Sequence, residues 1–178
     1  MLSVARWFGL DDPRLDRVSE HLLAAQMPDG GWNCRAILGR ATHGSFHTTI
    51  LALEALLGWP GGAHARARGE EFLLVHRLFR SHRTGKVAKD EFTRLHFPPR
   101  WHYDVLRGLD YLRAANAPRD PRLADALELV GSRRRTDGMW LLLQGYTGRV
   151  FFEMEETGQA SRWNTLRALR VLRWAGLA

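Results

Sequence analysis

The sequence predicts an all-α protein built from consecutive helical hairpins. The prediction comes from a repeated string, from apolar residues at helical spacing after each copy, and from an almost complete lack of β alternation. The string Asp-Pro-Arg-Leu occurs at 12–15 and 120–123, and Asp-Gly-x-Trp follows each copy at 29–32 and 137–140. All matching positions lie 108 residues apart, which indicates internal repetition.

A more diverged third copy lies midway between these two. The segment 80–85 lies 55 residues after the segment 25–30 and 53 residues before the segment 133–138, close to half of the offset. It keeps the glycine as Gly85 but lacks the Asp and the Trp. Downstream segments align as well, at 48–56, 104–112 and 164–172. Residues 1–178 are therefore expected to form a single domain of three repeats, at about 12–58, 66–115 and 120–174.

Each repeat opens with a predicted first helix. In the first repeat, Asp12 is a good N-cap, Pro13 suits the first helical position, and apolar residues then recur at helical spacing. Gly30 ends the segment, as glycine commonly does beyond a helix C-terminus. The first helices are expected near 13–27, 67–82 and 121–134.

Each repeat closes with a predicted second helix. These helices begin at aligned residues that are all favourable N-caps, namely Thr48, Asp104 and Asn164. They are expected near 48–58, 104–115 and 164–174. The brief segment 150–152 is the one candidate for extended structure.

Composition limits the class of protein. A length of 178 residues with 45% apolar residues and seven tryptophans argues against disorder. The sequence has no run of 18 apolar residues, so no membrane span is expected, and its first ten residues do not read as a signal peptide. The single cysteine, Cys34, favours a reducing compartment, and we therefore expect a cytoplasmic protein.

The chain carries a formal net charge of +7, which raises the question of nucleic-acid binding. Nearly all of this charge is arginine, since Lys86 and Lys89 are the two lysines. The arginines are spread through every repeat at positions typical of solvent-facing helix surfaces. Binding to nucleic acid is therefore not expected, because the charge is not gathered on one segment.

One motif resembles that of a known family. Gln26-x-x-Asp29-Gly30-x-Trp32 resembles the end of the QW motif of squalene and oxidosqualene cyclases, and Asp137-Gly138-x-Trp140 is a copy without the Gln. The Gln amide can bridge a helix C-terminus and the next segment while stacking on the Trp face. Over about residues 10–174 the chain is similar to the terpenoid cyclase/protein prenyltransferase superfamily, in particular to squalene cyclase-like proteins of bacteria.

The resemblance implies an α/α toroid with the first helices outside and the second helices lining a central cavity. Three hairpins would form a half-toroid. It also implies a protein that binds or transforms an isoprenoid-like apolar small molecule, as an isomerase, lyase or transferase if it is an enzyme. The acidic motif of class II cyclases is absent, and no metal or cofactor is implied. The alternative is a non-catalytic interaction or assembly module that keeps the scaffold.

In this superfamily the functional side chains gather at the N-termini of the inner helices, where partial positive charge favours anions and polarised oxygens. His102 with Asp104 could form an oriented general base, or His47 and His102 could contribute to a metal site. The alternative is that these histidines are hydrogen-bonded residues at the rim formed by the helix N-termini, without a catalytic or metal-binding role. The substrate-binding candidates at these helix ends are Phe46, Arg100, Trp101, Tyr103, Arg162, Trp163 and Asn164.

An insertion in the third repeat supplies further candidates. About eight extra residues separate Trp140 from Asn164, compared with the first repeat. Strand-like alternation would turn Phe152 towards a bound substrate and turn Glu153 and Glu155 the other way. Aromatic surroundings could raise the pKa of one of these carboxyls, which could then act as a general acid or base. The alternative is a lid with solvated glutamates.

The half-toroid also predicts that the protein associates with a second chain. The sides of its first and last hairpins carry apolar residues, namely Trp7, Phe8, Leu172 and Trp174. Exposed apolar patches of this kind are usually buried in contact with another molecule. We therefore expect a homodimer, or a partner chain that completes the toroid.

Overall fold

The computed structural model describes residues 2–145 and 148–177. About half of the chain is helical, and the prediction of a mostly helical protein is confirmed. The helices are α1 (Leu2–Trp7), α2 (Arg14–Ala24), α3 (Phe46–Leu56), α4 (Ala63–Val75), α5 (Val105–Ala114), α6 (Ala124–Ser132) and α7 (Arg162–Ala175). Short 3-10 turns lie at Ala36–Leu38, Pro60–Gly62, Asp90–Thr93 and Pro121–Leu123.

The six predicted helices correspond to α2 to α7, and the largest difference is in the middle repeat. There the first helix was expected to reach residue 82, but α4 ends at Val75. Arg77 and Leu78 adopt left-handed backbone conformations, with φ of 44° and 66°. This conformation is unfavourable for residues other than glycine and ends the helix. Burial of the Leu78 side chain, which is 0% exposed, offsets part of that cost.

A two-stranded sheet forms where none was expected. Strands β1 (Trp140–Leu141) and β2 (Ala160–Ser161) pair antiparallel, with Trp140 opposite Ser161. The pairing closes the base of the third-repeat insertion, because Leu142 N–H donates to the carbonyl of Gln159 at 2.9 Å. The segment 150–152, the expected extended candidate, is not a strand.

Two compact units divide the chain, at 1–73 and 74–178, with the boundary inside α4. In the first unit, Trp32, Leu53 and Leu73 are among the buried core residues. The buried core of the second unit includes Tyr103, Leu109 and Trp140. None of the helices in the described ranges is long and apolar enough to cross a membrane.

The repeated Asp-Pro-Arg string starts a helical segment in both of its copies. The Asp12 carboxylate accepts a hydrogen bond from the backbone N–H of Arg14 at 2.8 Å, and Asp120 accepts one from Arg122 at 2.8 Å. In each copy the arginine guanidinium also donates hydrogen bonds from Nε and Nη2 to the same carboxylate. These hydrogen bonds from Arg14 lower the pKa of Asp12 to about 2. Asp120 is thereby the N-cap of the turn at Pro121–Leu123, whereas the expected N-cap Asp12 closes the turn before α2, whose N-cap is Pro13.

The Asp-Gly-x-Trp string ties the two helices of a hairpin together. The indole N–H of Trp32 donates to the carbonyl of Leu22 at 2.7 Å, and that of Trp140 donates to Val130 at 2.7 Å. The backbone N–H groups of the two tryptophans donate to the hydroxyls of residues 49 and 165, at 2.9 and 3.0 Å. The repeated Trp therefore links the end of the first helix to the second helix in both hairpins.

The residue three positions before the Asp differs between the copies, and so do its contacts. Gln26 Nε2 donates to the carbonyls of Gly30 at 2.7 Å and Ala65 at 2.8 Å, so it bridges the turn after α2 to α4. In the third repeat Arg134 takes the place of the Gln, and its guanidinium lies 5.7 Å from the centre of the Trp140 ring. The polar bridge is thus replaced by a cation–π contact.

Candidate functional site

The richest polar cluster lies in the second unit, in the loop that leads into α5. Asp104 is the N-cap of this helix and is fully buried. One of its carboxylate oxygens accepts from the Arg107 backbone N–H at 2.8 Å, and the other accepts from the His96 backbone N–H at 2.8 Å. A buried carboxylate is favourable here because the start of a helix carries partial positive charge.

Asp104 also binds the His96 ring, with 3.2 Å between Oδ2 and Nδ1. Asp104 was expected to pair with His102, but its partner is His96. An ionised carboxylate can only accept, so the Nδ1 of His96 carries the proton that it donates to Oδ2 of Asp104. His96 is 2% exposed, and its Nε2 has no hydrogen-bond partner among the described residues.

The surroundings of Asp104 keep its carboxyl group ionised. Burial by itself would raise the pKa of Asp104, but the hydrogen bond from the His96 ring and the charge of Arg167 outweigh it. The pKa of Asp104 therefore lies below its ordinary value of 3.8, and the group is a carboxylate at neutral pH.

His102 stacks on the pair instead of joining it. Its ring lies 5.2 Å from that of His96 at an interplanar angle of 11°, and 3.8 Å from the ring of Trp101. Partial burial lowers the pKa of His102 below 6.5, and charge on His96 lowers it further. The Arg107 guanidinium fixes this loop by donating to the carbonyls of Arg100 and His102, at 2.8 and 2.6 Å.

Tyr103 is a core residue and not part of a rim. It is 0% exposed, and its hydroxyl donates to the carbonyl of Leu78 at 2.6 Å. Burial raises the pKa of its phenol well above 10.0. A side chain enclosed in this way offers no surface to a substrate. In the repeat that lacks the Trp, its hydroxyl binds the turn that follows α4.

At the start of α7 the predicted residues have three different environments. Asn164 is buried, and its amide nitrogen donates to the carbonyls of Leu95 and Leu141 at 3.3 Å each. Trp163 is 40% exposed and stacks on Phe97, with ring centres 5.2 Å apart. The side chain of Arg162 is exposed. Of the three, only Trp163 combines an aromatic face with access to solvent.

Glu155 is held at the N-terminus of α7. Its Oε1 accepts from the Arg162 backbone N–H at 2.8 Å, and its Oε2 is hydrogen-bonded to the hydroxyl of Ser161, the N-cap of the helix. These contacts give Glu155 a capping role. Glu153 and Phe152 are exposed on the same loop.

The two candidates of the first unit lie at the start of α3. Phe46 is buried and makes an edge-to-face contact with Phe72, with ring centres 5.5 Å apart. His47 is half-buried. The expected rim shared by His47 and His102 stays a prediction, because the two residues belong to different units.

A cavity of about 370 Å³ lies in the second unit, between the 94–100 loop and the insertion. This volume is within the range of small-molecule sites. Its wall includes the apolar side chains of Phe97, Leu143, Phe152 and Met154. None of the residues that line it belongs to α5 or α7, so this cavity does not lie among the inner helices, where the resemblance places one.

Two residues of this region, His96 and Gln144, were not predicted from the sequence. They pair through a parallel backbone bridge, and Gln144 also lines the cavity. The repeat alignment could not mark either residue, since His96 lies in the most diverged repeat and Gln144 lies in the insertion. A polar residue inside an otherwise apolar segment, as at Leu141–Gln144, was the only sequence feature that could have drawn attention to Gln144.

Within the described ranges, no three His, Cys, Asp or Glu side chains are grouped so that they could hold a metal ion. No protein-family model, curated protein or solved structure matches the chain.

Proposed function

We propose that the second unit binds an apolar, isoprenoid-like small molecule in the cavity between the 94–100 loop and the insertion. The observation that carries this proposal is the exposure of Phe151 and Phe152, at 102% and 73%, on the wall of a cavity of about 370 Å³. Exposed adjacent aromatic residues usually mark a binding surface. A bound apolar molecule would remove them from water.

The chemistry of the wall supports an apolar ligand with a small polar part. Phe97, Phe152 and Met154 offer aromatic and thioether surface, which adapts to flexible hydrocarbon chains. The stacked Phe97–Trp163 pair lies beside this surface and has a π face of the kind that stabilises cationic intermediates. The resemblance to terpenoid cyclases is the reason for choosing an isoprenoid.

The test uses farnesol, a C15 isoprenoid alcohol, titrated into the protein by calorimetry. The double variant Phe151→Ser/Phe152→Ser is expected to bind farnesol at least about tenfold more weakly, because covering one phenyl ring contributes about 1.5 kcal/mol or more. The matched control is Ile37→Ser/Leu38→Ser, a pair of adjacent residues that are 76% and 64% exposed and are not on the cavity wall. Its affinity should not change. A wild-type protein that does not bind farnesol would refute the proposal.

The second candidate is assembly through the first unit. Trp7 and Phe8 are 85% and 81% exposed there, a degree of exposure that favours a partner surface. The C-terminal part of the predicted patch is smaller than expected, because Leu172 is buried at 5% exposure and Trp174 is half-buried. We propose a homodimer that covers Trp7 and Phe8.

The variant Trp7→Ser/Phe8→Ser is expected to be monomeric at concentrations where the wild type is dimeric. Loss of two large apolar contacts at an interface removes several kcal/mol of association free energy, at about 1.5–3 kcal/mol for each side chain. Sedimentation velocity at tens of micromolar would measure this. The control Ile37→Ser/Leu38→Ser should stay dimeric, and a monomeric wild type would contradict the assembly proposal.

A further inference from the structure

The short helix α1 is fixed to the first unit by one of its faces. Leu2 is buried, and the Arg6 guanidinium donates to the carbonyl of Ala55 at 2.9 Å and to the hydroxyl of Ser19 at 2.6 Å. Because these contacts hold the helix in place, the residues on its opposite face also have fixed positions.

This opposite face of α1 is apolar and exposed. Val4, Trp7 and Phe8 are 48%, 85% and 81% exposed. The backbone N–H of Phe8 donates to the carbonyl of Val4 at 3.1 Å, so the helical spacing continues to Phe8. Residues at positions i, i+3 and i+4 share one side of a helix. These three residues, which we call the α1 patch, have the spacing with which an amphipathic helix binds in an apolar groove of a partner.

A groove of this kind lies between α6 and α7 in the second unit. Its volume is about 710 Å³, and its wall includes Ala124, Leu127, Gly131, Ala175 and Leu177. Leu127 and Ala175 are half-buried and Leu177 is 62% exposed, so their apolar surface is accessible. The space beside Gly131 is open, because a side chain added there would meet no other part of the described chain within 4 Å of its Cβ. We call this feature the α6–α7 groove.

The charges around the two surfaces have opposite signs. Residues 2–16, which contain the α1 patch, carry three aspartates and two arginines. Residues 124–135 and 170–177, which contain the wall of the groove, together carry five arginines but only one aspartate and one glutamate. Opposite charges around an apolar contact favour the correct pairing, and like charges disfavour the alternatives. The groove of a second copy therefore fits the α1 patch better than another α1 patch does.

We propose that in the homodimer the α1 patch of each chain packs into the α6–α7 groove of the second copy. The inference rests on the homodimer proposed above, since it names the surface that covers Trp7 and Phe8. A closed dimer contains this contact twice, because each chain supplies one patch and one groove.

The expected area agrees with a stable dimer. An aromatic side chain buries about 150–250 Å², so Trp7 and Phe8 together with a similar area of the groove bury roughly 600–1,000 Å² on each chain. Stable interfaces bury about 800 Å² on each partner. A single contact would bury about half of that, which favours the reciprocal arrangement.

Filling the groove tests the contact. Gly131→Arg places a long charged side chain in the open space and is expected to raise the dissociation constant of the dimer at least about hundredfold, about tenfold for each of the two aromatic side chains that lose their site. The matched control Gly131→Ala adds only a methyl group and should dimerise as the wild type does. Sedimentation velocity measures both. Leu177→Arg, at an exposed residue of the same wall, is a second variant with the same expected result if Gly131→Arg does not fold.

Mixing two variants tests which surfaces meet. Isotope-labelled Trp7→Ser/Phe8→Ser keeps the groove, and unlabelled Gly131→Arg keeps the α1 patch. Their mixture should show NMR shift changes at the backbone amides of Leu127, Ala175 and Leu177 in the labelled protein, since one of the two contacts can still form. NMR also detects contacts that are too weak for sedimentation. Unlabelled Trp7→Ser/Phe8→Ser, which lacks the patch, should cause no such changes.

The outcomes separate this inference from the homodimer itself. A monomeric wild type would overturn the homodimer. A dimer that persists in the folded groove variants, or a mixture without shift changes at the groove, would overturn the inference and leave the homodimer standing. Phe151→Ser/Phe152→Ser should dimerise like the wild type, because these two residues are adjacent in a loop and do not have helical spacing. If it is monomeric, those side chains occupy the groove and the inference is overturned.

Discussion

Replacing Asp104 with Ala is expected to lower the free energy of unfolding by about 3 to 5 kcal/mol. The reason is that the buried carboxylate accepts from the backbone N–H groups of His96 and Arg107 and from the His96 ring. Its removal takes away the N-cap of α5 and leaves two buried backbone donors without acceptors. Urea denaturation followed by far-UV circular dichroism measures the change.

The matched control for this prediction is Asp120→Ala. Asp120 also caps a helical turn and accepts from a backbone N–H two residues on, but its side chain is 22% exposed, so water can replace it. Its loss should cost about 1 kcal/mol. An Asp104→Ala protein no less stable than the Asp120→Ala protein would contradict the buried network.

The lowered pKa of Asp104 also predicts how the stability of the protein depends on pH. Its pKa in the folded protein is below the ordinary value of 3.8, so the folded state binds this proton more weakly than the unfolded state. The contribution to stability is fully present above pH 3.8 and is lost as the pH falls through the lower folded value. Subtracting the acid unfolding curve of Asp104→Asn from that of the wild type isolates this effect. Identical slopes below pH 4 would contradict it.

Replacing Trp140 with Ala is expected to lower the free energy of unfolding by about 4 kcal/mol, as is typical of a fully buried tryptophan. Trp140 is 0% exposed, and its indole N–H donates to the carbonyl of Val130 in α6. Trp32→Ala should have a similar cost, because Trp32 is 2% exposed and makes the same two hydrogen bonds in the first hairpin.

Two further variants test the origin of this cost. Trp140→Phe keeps most of the apolar volume but leaves the Val130 carbonyl without its donor, so it should cost about 1–3 kcal/mol. Ile37→Ala shortens an apolar side chain that is 76% exposed and should change stability by less than about 0.5 kcal/mol. Thermal and urea unfolding give both values, and a Trp140→Ala protein as stable as the Ile37→Ala protein would show that the indole does not link the helices.

Local sequence determined the helices of this protein. The pair Asp12 and Arg14 and the pair Asp120 and Arg122 form their hydrogen bonds within two residues, so the repeated string folds alike wherever it occurs. The Trp contacts repeat for a related reason, because the donor and acceptor lie ten residues apart within one hairpin in both copies. Contacts of this range are encoded by spacing alone.

The tertiary structure decided the chemistry of the candidate site. His47, Tyr103 and Trp163 occupy one aligned position of the repeats, yet they are half-buried, fully buried and 40% exposed. Asp104 binds His96 rather than the neighbouring His102, because the loop before α5 turns back and places the more distant ring against the carboxylate. Burial depends on what packs against a residue from elsewhere in the chain, and repeat spacing does not contain that information.

The position of the cavity depends on the same long-range packing. The insertion contributes Phe152 and Glu155 to its wall, as its aromatic composition suggested, but the hydroxyl of Ser161 and the start of α7 hold Glu155 as a cap. The opposite wall comes from the 94–100 loop, some fifty residues earlier in the chain. The sequence by itself determined which segments become helices, since that choice depends on neighbours within a few turns. Where two of them start was predicted wrongly, because the expected N-caps Thr48 and Asn164 lie inside α3 and α7, whose N-caps are Ser45 and Ser161. Only the tertiary structure decided which polar groups are buried and which of them lack a partner, because burial is a property of packing between distant segments.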